Sequence, residues 1–204
     1  MTLDSQLDAI RDGGGDPKRA RILEGALKVF LAYGYNRTTM DDIARAAELS
    51  RPALYLLFRN KTDIYRAIGG CLLVKCLAGA KAVLGGDGPL LDRLDSLCED
   101  VFHAMMHEIE VSPHGPELLD MRNSLAGDII GRWRDELVEV LEQAIAAEAA
   151  ANGTDLAARG LSARAIAETY FDAMEGMKVR LSDPQRHLET ARSVSRLVVA
   201  AIRR

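Results

Sequence analysis

Aromatic residues are scarce in this chain, at 5% of 204 residues with a single Trp. A β-sandwich draws heavily on aromatic and β-branched pairs, so that supply fits poorly, whereas hydrophobic content of 48% rich in Ala and Leu suits packed helices. Cysteine is sparse too. Cys71, Cys76 and Cys98 are odd in number and lack a CxxC spacing, as expected of reduced thiols buried as small hydrophobes in a cytoplasmic protein. No uninterrupted apolar run approaches the roughly 18–20 residues needed to cross a bilayer. Met1 leads into acidic, glycine-containing sequence rather than a basic start and an apolar segment, so no export signal and no membrane partner are expected. An HExxH pair, a glycine-rich phosphate loop and a Ser/His/Asp grouping are all missing. The expectation is therefore a non-enzymatic protein without cofactor or bound metal.

What is present is an uneven distribution of charge. The net charge of −4 conceals a head, residues 17–66, with ten Lys/Arg against five Asp/Glu. Residues 67–204 carry 15 basic and 21 acidic groups, and the first 16 residues add a balance of −3. A basic head on an acidic body points to a polyanionic partner for the head, because neutralised phosphates release counterions.

Periodicity makes the whole chain helical, with about nine helices and no convincing strand. Residues 1–16, with four Asp and Gly13-Gly14-Gly15, are expected to be a disordered tail. Ile22, Leu23, Ala26, Leu27 and Phe30 recur at helical spacing until Gly34. Thr39 with Asp42 three residues on resembles a capping box, so a short helix begins at Met40. Glu48-Leu49 turns the chain into Ser50, which caps a second short helix with Pro52 in its first turn. Asn60 and Asp63 start a longer helix to about residue 84, where Gly85-Gly86-Asp87-Gly88-Pro89 breaks it. Further helices are expected over about 90–111, within "HGPELLDMRN", and over about 125–151, 162–182 and 185–203.

"SRPALYLLFRNKTD", residues 50–63, carries five large residues in a row. At 100° per residue, Leu54, Leu57 and Phe58 fall on one side of a helix, and Pro52, Tyr55, Leu56 and Arg59 fall opposite. Two short helices joined by a three-residue turn in a basic helical segment have the helix-turn-helix geometry, whose second helix enters the major groove.

Residues 19–65, "RARILEGALKVF…YGYNRTTMDDIARAAELSRPALYLLFRNKTDIY", resemble the DNA-binding domain of the tetracycline-repressor (TetR) family. The likeness lies in Arg19-x-Arg21-Ile22-Leu23, Gly34, Thr39, Ile43-Ala44, Ser50-Arg51, Leu54-Tyr55, Phe58 and Lys61 at their spacings. It implies that Arg51, Pro52, Ala53 and Leu56 approach base edges and that Thr39, Tyr55 and Lys61 grip phosphates. Arg51 can fork onto guanine, and Thr39 and Lys61 stand at helix starts, where backbone N–H groups favour anions. Three positions depart from the family. Leu56 and Leu57 replace residues that are usually polar or aromatic, and Glu48 stands where the turn normally has Gly. The division expected is a helix-turn-helix domain over 17–65 and a ligand-sensing, dimerising helical domain over 66–204.

In the body, Ile166, Tyr170, Met174, Met177 and Leu181 form one stripe, and Leu188, Ala191, Ser195, Val198 and Ile202 another. Such stripes face either the chain's own core or a second subunit in a four-helix bundle. With Ala173 allowing close approach, and with two reading helices needed on a palindromic operator, they are assigned to a homodimer interface. In the resembled family the middle helices enclose an effector pocket. Phe102, Met105, Met106, Met121, Leu125, Trp133, Phe171 and Met174 are the apolar and aromatic residues assigned to it. His103 and His107, at i and i+4 with Glu99 and Glu110, could hold a metal, line that pocket or lie on a solvated face. A helical metallo-enzyme built on that pair is the alternative to a ligand-released repressor of transcription.

Overall fold

The protein is described here by a computed structural model covering residues 3–203 apart from 14, 121, 181 and 182. Asp16 accepts from the Lys18 N–H and opens α2 (Pro17–Tyr33), which Gly34 closes at φ 86°. Thr39 caps α3 (Met40–Ala46) and Ser50 caps α4 (Arg51–Leu57). The Asn60 side chain accepts from the Asp63 N–H at 2.8 Å at the start of α5 (Lys61–Leu84). Then come α6 (Leu90–Ser96), a π-helical segment (Leu97–His103), α7 (Ala104–Glu110) and α8 (Gly115–Asp120). The last three are α9 (Arg122–Ala151), α10 (Ala163–Arg180) and α11 (Pro184–Ile202). Every regular element among the described residues is helical, as the periodicity predicts. The helix expected over 90–111 is interrupted by the π-helical segment, and α9 is kinked at Ala126 (φ −137°, ψ 19°), close to the expected helix start.

The start of the chain is not a disordered tail. Leu3–Gly13 form α1, whose Gln6, Leu7, Ala9 and Ile10 are buried. Composition pointed to disorder, but these positions put apolar atoms on one helix face. That face packs on α2 and is fastened by Arg11 donating to Glu24 and by Lys75 Nζ donating to the Ser5 carbonyl. Among the described residues α5 alone is long and apolar enough to cross a membrane by length and composition, although Lys75 and Lys81 interrupt its apolar sequence.

The chain divides into two compact units. The first runs to Cys76 and adds Ala104–Trp133; the second comprises Leu77–His103 and the chain from Arg134 onward. In the first, Ile22, Leu23 and Phe30 of α2, Ile43 of α3, Leu54 of α4 and Ile64 of α5 are essentially inaccessible to solvent. Each such side chain is worth roughly 1.5–3 kcal/mol relative to exposure. Three polar ties join α8 and α9 to the head within this unit. Glu117 accepts from the Asn36 N–H and side-chain amide, Tyr65 donates to the Leu118 carbonyl at 2.6 Å, and Arg66 forks onto Asp128 with both contacts at 2.7 Å. Arg66 also donates to the Leu125 carbonyl. The core of the second unit is Leu90, Leu94, Leu97, Leu137, Leu141, Ile145, Tyr170 and Ile202.

The Arg66 fork lowers the pKa of Asp128 from 3.8 to about 2. A carboxylate held below its ordinary value stabilises the fold fully above that ordinary value, and the contribution is lost as pH falls through the folded-state value. Urea midpoints of the wild type should therefore drop between pH 4 and pH 2 more steeply than those of Asp128→Asn. Parallel acid limbs would show that the fork is not linked to folding.

Candidate nucleic-acid interface

The geometry of the reading head begins with Thr39. Its hydroxyl accepts from the Asp42 N–H at 3.2 Å and donates to Asp42 Oδ2 at 2.6 Å, while the Thr39 N–H also donates to that oxygen. This is the full capping box, and the Thr39 hydroxyl holds the Asp42 carboxyl below its usual range. At its other end α3 lies so close to α2 that a Cβ on Gly25 would stand 2.9 Å from the Ala47 nitrogen. The turn follows through Ala47, Glu48 and Leu49. Glu48 sits at φ 54°, the left-handed region in which a side chain costs on the order of 1 kcal/mol relative to Gly. Arg21 offsets part of that strain by donating to the Ala47 carbonyl at 2.8 Å and to the Glu48 carbonyl and carboxylate at 3.3 Å.

From this turn α4 emerges with two distinct faces. Leu54 and Phe58 are buried, and the Arg19 guanidinium lies 4.5 Å from the Phe58 ring centroid. Arg51, Pro52, Tyr55 and Arg59 are exposed, Ala53 is half-buried, and Leu56 is 86% exposed. Leu57, expected on the packing side, is 36% exposed. A helix of seven residues ends there, and Phe58 leaves helical geometry (φ −140°, ψ 128°), so Phe58 turns inward and Leu57 is left at the rim. Beside Tyr55, Leu56 and Leu57 lies a groove of about 450 Å³ lined also by Arg19, Arg59 and Arg66.

Residues 22–68, which hold this motif, match the profile described as bacterial regulatory proteins, tetR family. The transcriptional activator FasR of Mycolicibacterium smegmatis is 30% identical over 93 residues, 46% of this chain and 42% of that protein. The transcriptional regulator TtgR of Pseudomonas putida is 42% identical over 123 residues, 59% of this chain and 48% of that protein. The head that holds residues 22–68 is therefore of the TetR type. The chain spans between about a quarter and a half of the length of curated relatives such as these. To solved structures the likeness is one of fold. The Bacillus subtilis transcriptional regulator FadR, solved with stearoyl-CoA, is 16% identical, with 89% of this chain and 97% of that one superposed at a TM-score of 0.62.

Within the TetR-type head, Lys61 occupies a different place from the one its position implies. Its ammonium donates to the carbonyls of Tyr35 at 2.8 Å, Asn36 at 3.2 Å and Thr38 at 3.1 Å, over the Tyr35 ring. Burial pushes its pKa down. An ammonium has three donors, and here each has a backbone acceptor, so Lys61 clamps the α2–α3 loop instead of offering itself to a phosphate. Asp41, Arg21 and Arg19 are head residues that sequence reasoning passed over. Arg19 and Arg21 were visible as the Arg-x-Arg start of α2, but the partners they reach, 39 and 26–27 residues away, were not.

The body corrects one set of assignments outright. Ile166, Tyr170, Met177, Leu188, Ala191, Ser195, Val198 and Ile202 are all buried within the single chain, with Ala173 half-buried. Their stripes pack α10 on α11, and α11 on α6 and the π-helical segment, so they form core and not a dimer surface. The opposite faces are open: Ala165, Thr169, Asp172 and Gly176 on α10, and Ser193, Leu197 and Ala200 on α11.

The effector assignments divide between units. Phe171 and Met174 are buried, and Phe102 half-buried, in the second unit, while Leu125 and Trp133 are half-buried in the first. Met121 and the side chains of Met105 and Met106 lie outside the described residues. Near Met174 a polar cluster is buried: the Tyr170 hydroxyl lies 3.0 Å from Cys98 Sγ and 3.5 Å from the Ser195 hydroxyl, and burial pushes its pKa well up. A cleft of about 590 Å³ in the second unit is instead lined by Lys81, Arg93, Glu136, Glu139 and Gln143. His103 closes the π-helical segment and His107 lies in α7, so they do not share one regular α-helical stripe. Among the described residues no three His, Cys, Asp or Glu side chains are grouped to hold a metal. The metallo-enzyme alternative finds no support among the relatives named here, which are regulators of transcription.

If Lys61 is a loop clamp, Lys61→Met should lower stability by about 1–3 kcal/mol, because partly buried carbonyls lose a charged donor. The dependence of DNA affinity on salt should stay as in the wild type. A salt slope reduced by about one, with unchanged thermal stability, would return Lys61 to the phosphates.

Proposed function

We propose that this chain is a transcriptional repressor that grips a two-fold symmetric DNA operator as a homodimer and releases it when a small apolar or aromatic effector binds its helical body. The observation that carries the reading is the two-faced α4. Leu54 and Phe58 root the helix, while Arg51, Pro52, Tyr55 and Leu56 stand exposed together on a basic head. A single helix of that length reaches few bases, so pairing two heads on a symmetric site multiplies the contacts. Thr39 and Tyr55 supply hydroxyls for phosphates, Arg51 a fork for guanine, and Leu56 a surface for a thymine methyl.

Residues 17–65 act as the reader and 66–204 as sensor and dimerisation domain. The open faces of α10 and α11 replace the buried stripes as the pairing surface, with the 69% exposed Leu197 at its centre. Phe102, Phe171 and Met174 of the second unit supply the apolar residues for an effector, and Tyr170 with Cys98 and Ser195 a polar handle. The ties from Asn36, Tyr65 and Arg66 to α8 and α9 are suited to carry a shift of those helices to the head.

The test begins with purified protein and random duplex DNA. The wild type should select a two-fold symmetric sequence and bind it with a salt slope of several charges. Leu197→Asp should elute as a monomer, as judged by light scattering, and bind the selected site on the order of 100-fold more weakly. Acyl-CoA and aromatic compounds that raise the melting temperature should also release the DNA. Selection of no shared sequence would overturn the operator reading, and an unchanged dimer would overturn the pairing surface.

A further inference from the structure

Asp41 puts a carboxylate on the face that would meet a polyanion, and the structure gives it a partner there. It stands in the first turn of α3, and Arg51 opens α4 ten residues later. Arg51 Nη1 donates to Asp41 Oδ2 at 3.2 Å, and Arg51 Nε lies 3.1 Å from Oδ1. The Tyr55 ring flanks the same guanidinium, its centroid 5.6 Å away. Both members of the pair are more than half exposed, at 59% and 53%, so the pair contributes little to folding. Its position is better explained by what it does to Arg51. An exposed arginine samples many rotamers, and in a DNA groove the nearest attraction for a wandering guanidinium is a phosphate, which carries no sequence information. A carboxylate beside it confines the side chain, cancels its net charge and repels phosphates. A guanidinium has five N–H donors; Nε and one donor of Nη1 face Asp41, and two of the remaining three suffice for O6 and N7 of guanine.

We propose that Asp41 is a specificity-determining positioning residue: it holds Arg51 in the posture that reads a guanine and withholds it from the phosphate backbone. The idea rests on the operator-binding reading above. Removing the carboxylate should strengthen binding to arbitrary DNA and blur the base preference, a combination that loss of a structural contact does not produce. Asp41→Asn, which keeps the shape without the charge, should lie between the wild type and Asp41→Ala.

The experiment selects binding sites from random duplex DNA with the wild type, Asp41→Ala, Asp41→Asn and Arg51→Ala, each first shown to melt like the wild type. The wild-type site should contain a guanine in each half whose replacement weakens binding on the order of ten-fold or more. In Arg51→Ala that preference should vanish. In Asp41→Ala it should fall to about three-fold or less, with affinity for random DNA raised and its salt slope steeper by about one. A wild type that selects no shared site overturns the operator reading and this inference with it. A wild type that selects a site which Asp41→Ala reads with undiminished guanine preference overturns the role of Asp41 alone. The same holds if Arg51→Ala keeps the guanine.

Discussion

The head depends on how close α3 can come to α2. At Gly25 there is no room for even a methyl group, since a Cβ would press on the backbone of Ala46 and Ala47. That contact seats the last turn of α3, and from it the chain has only Glu48 and Leu49 before Ser50 caps α4. So tight a turn requires a left-handed residue, which is Glu48 here, and Arg21 reaches across to hold the carbonyls that the turn leaves without helical partners. The direction of α4, and with it every exposed residue on the reading face, follows from this seat. A larger residue at position 25 would reorient the reader before any DNA contact was considered.

Around the seat, charged side chains act mostly as fasteners. Lys61, Arg21, Arg66 and Arg51 all belong to the basic head, yet three of them donate to backbone carbonyls and two fork toward carboxylates. The +5 balance that marks the head as a partner for a polyanion therefore overstates the charge free to meet one. Arginine and lysine have long apolar stems and several donors, so the same residue can serve packing, capping or phosphate binding, and only its surroundings decide which.

Much of the head was legible because its signals are local. Capping boxes, a proline in a first turn and a glycine after a last turn each act within four residues, and Thr39, Ser50 and Asn60 all start helices as read. The reading missed where a local signal was outweighed by packing. The acidic, glycine-flanked start looked disordered until Leu7 and Ile10 found α2 to cover them. Leu57 followed ideal helical angles on paper, but the helix stops at that residue and its neighbour Phe58 takes the buried place.

Sequence alone determined that the chain is helical, where most of the helices begin, and that residues 50–59 have one face to bury and one to show. These follow from backbone capping and the 3.6-residue period, which need no knowledge of distant residues. Tertiary structure decided which partner each stripe and each charge would meet. An apolar stripe on α10 or α11 looks the same whether it faces its own chain or a second subunit, and here α10 and α11 cover each other and α6 packs on α11, leaving Leu197 and its small neighbours outside. Ten residues separate Asp41 from Arg51, and their proximity exists only because the turn at Glu48 folds α4 back beside α3.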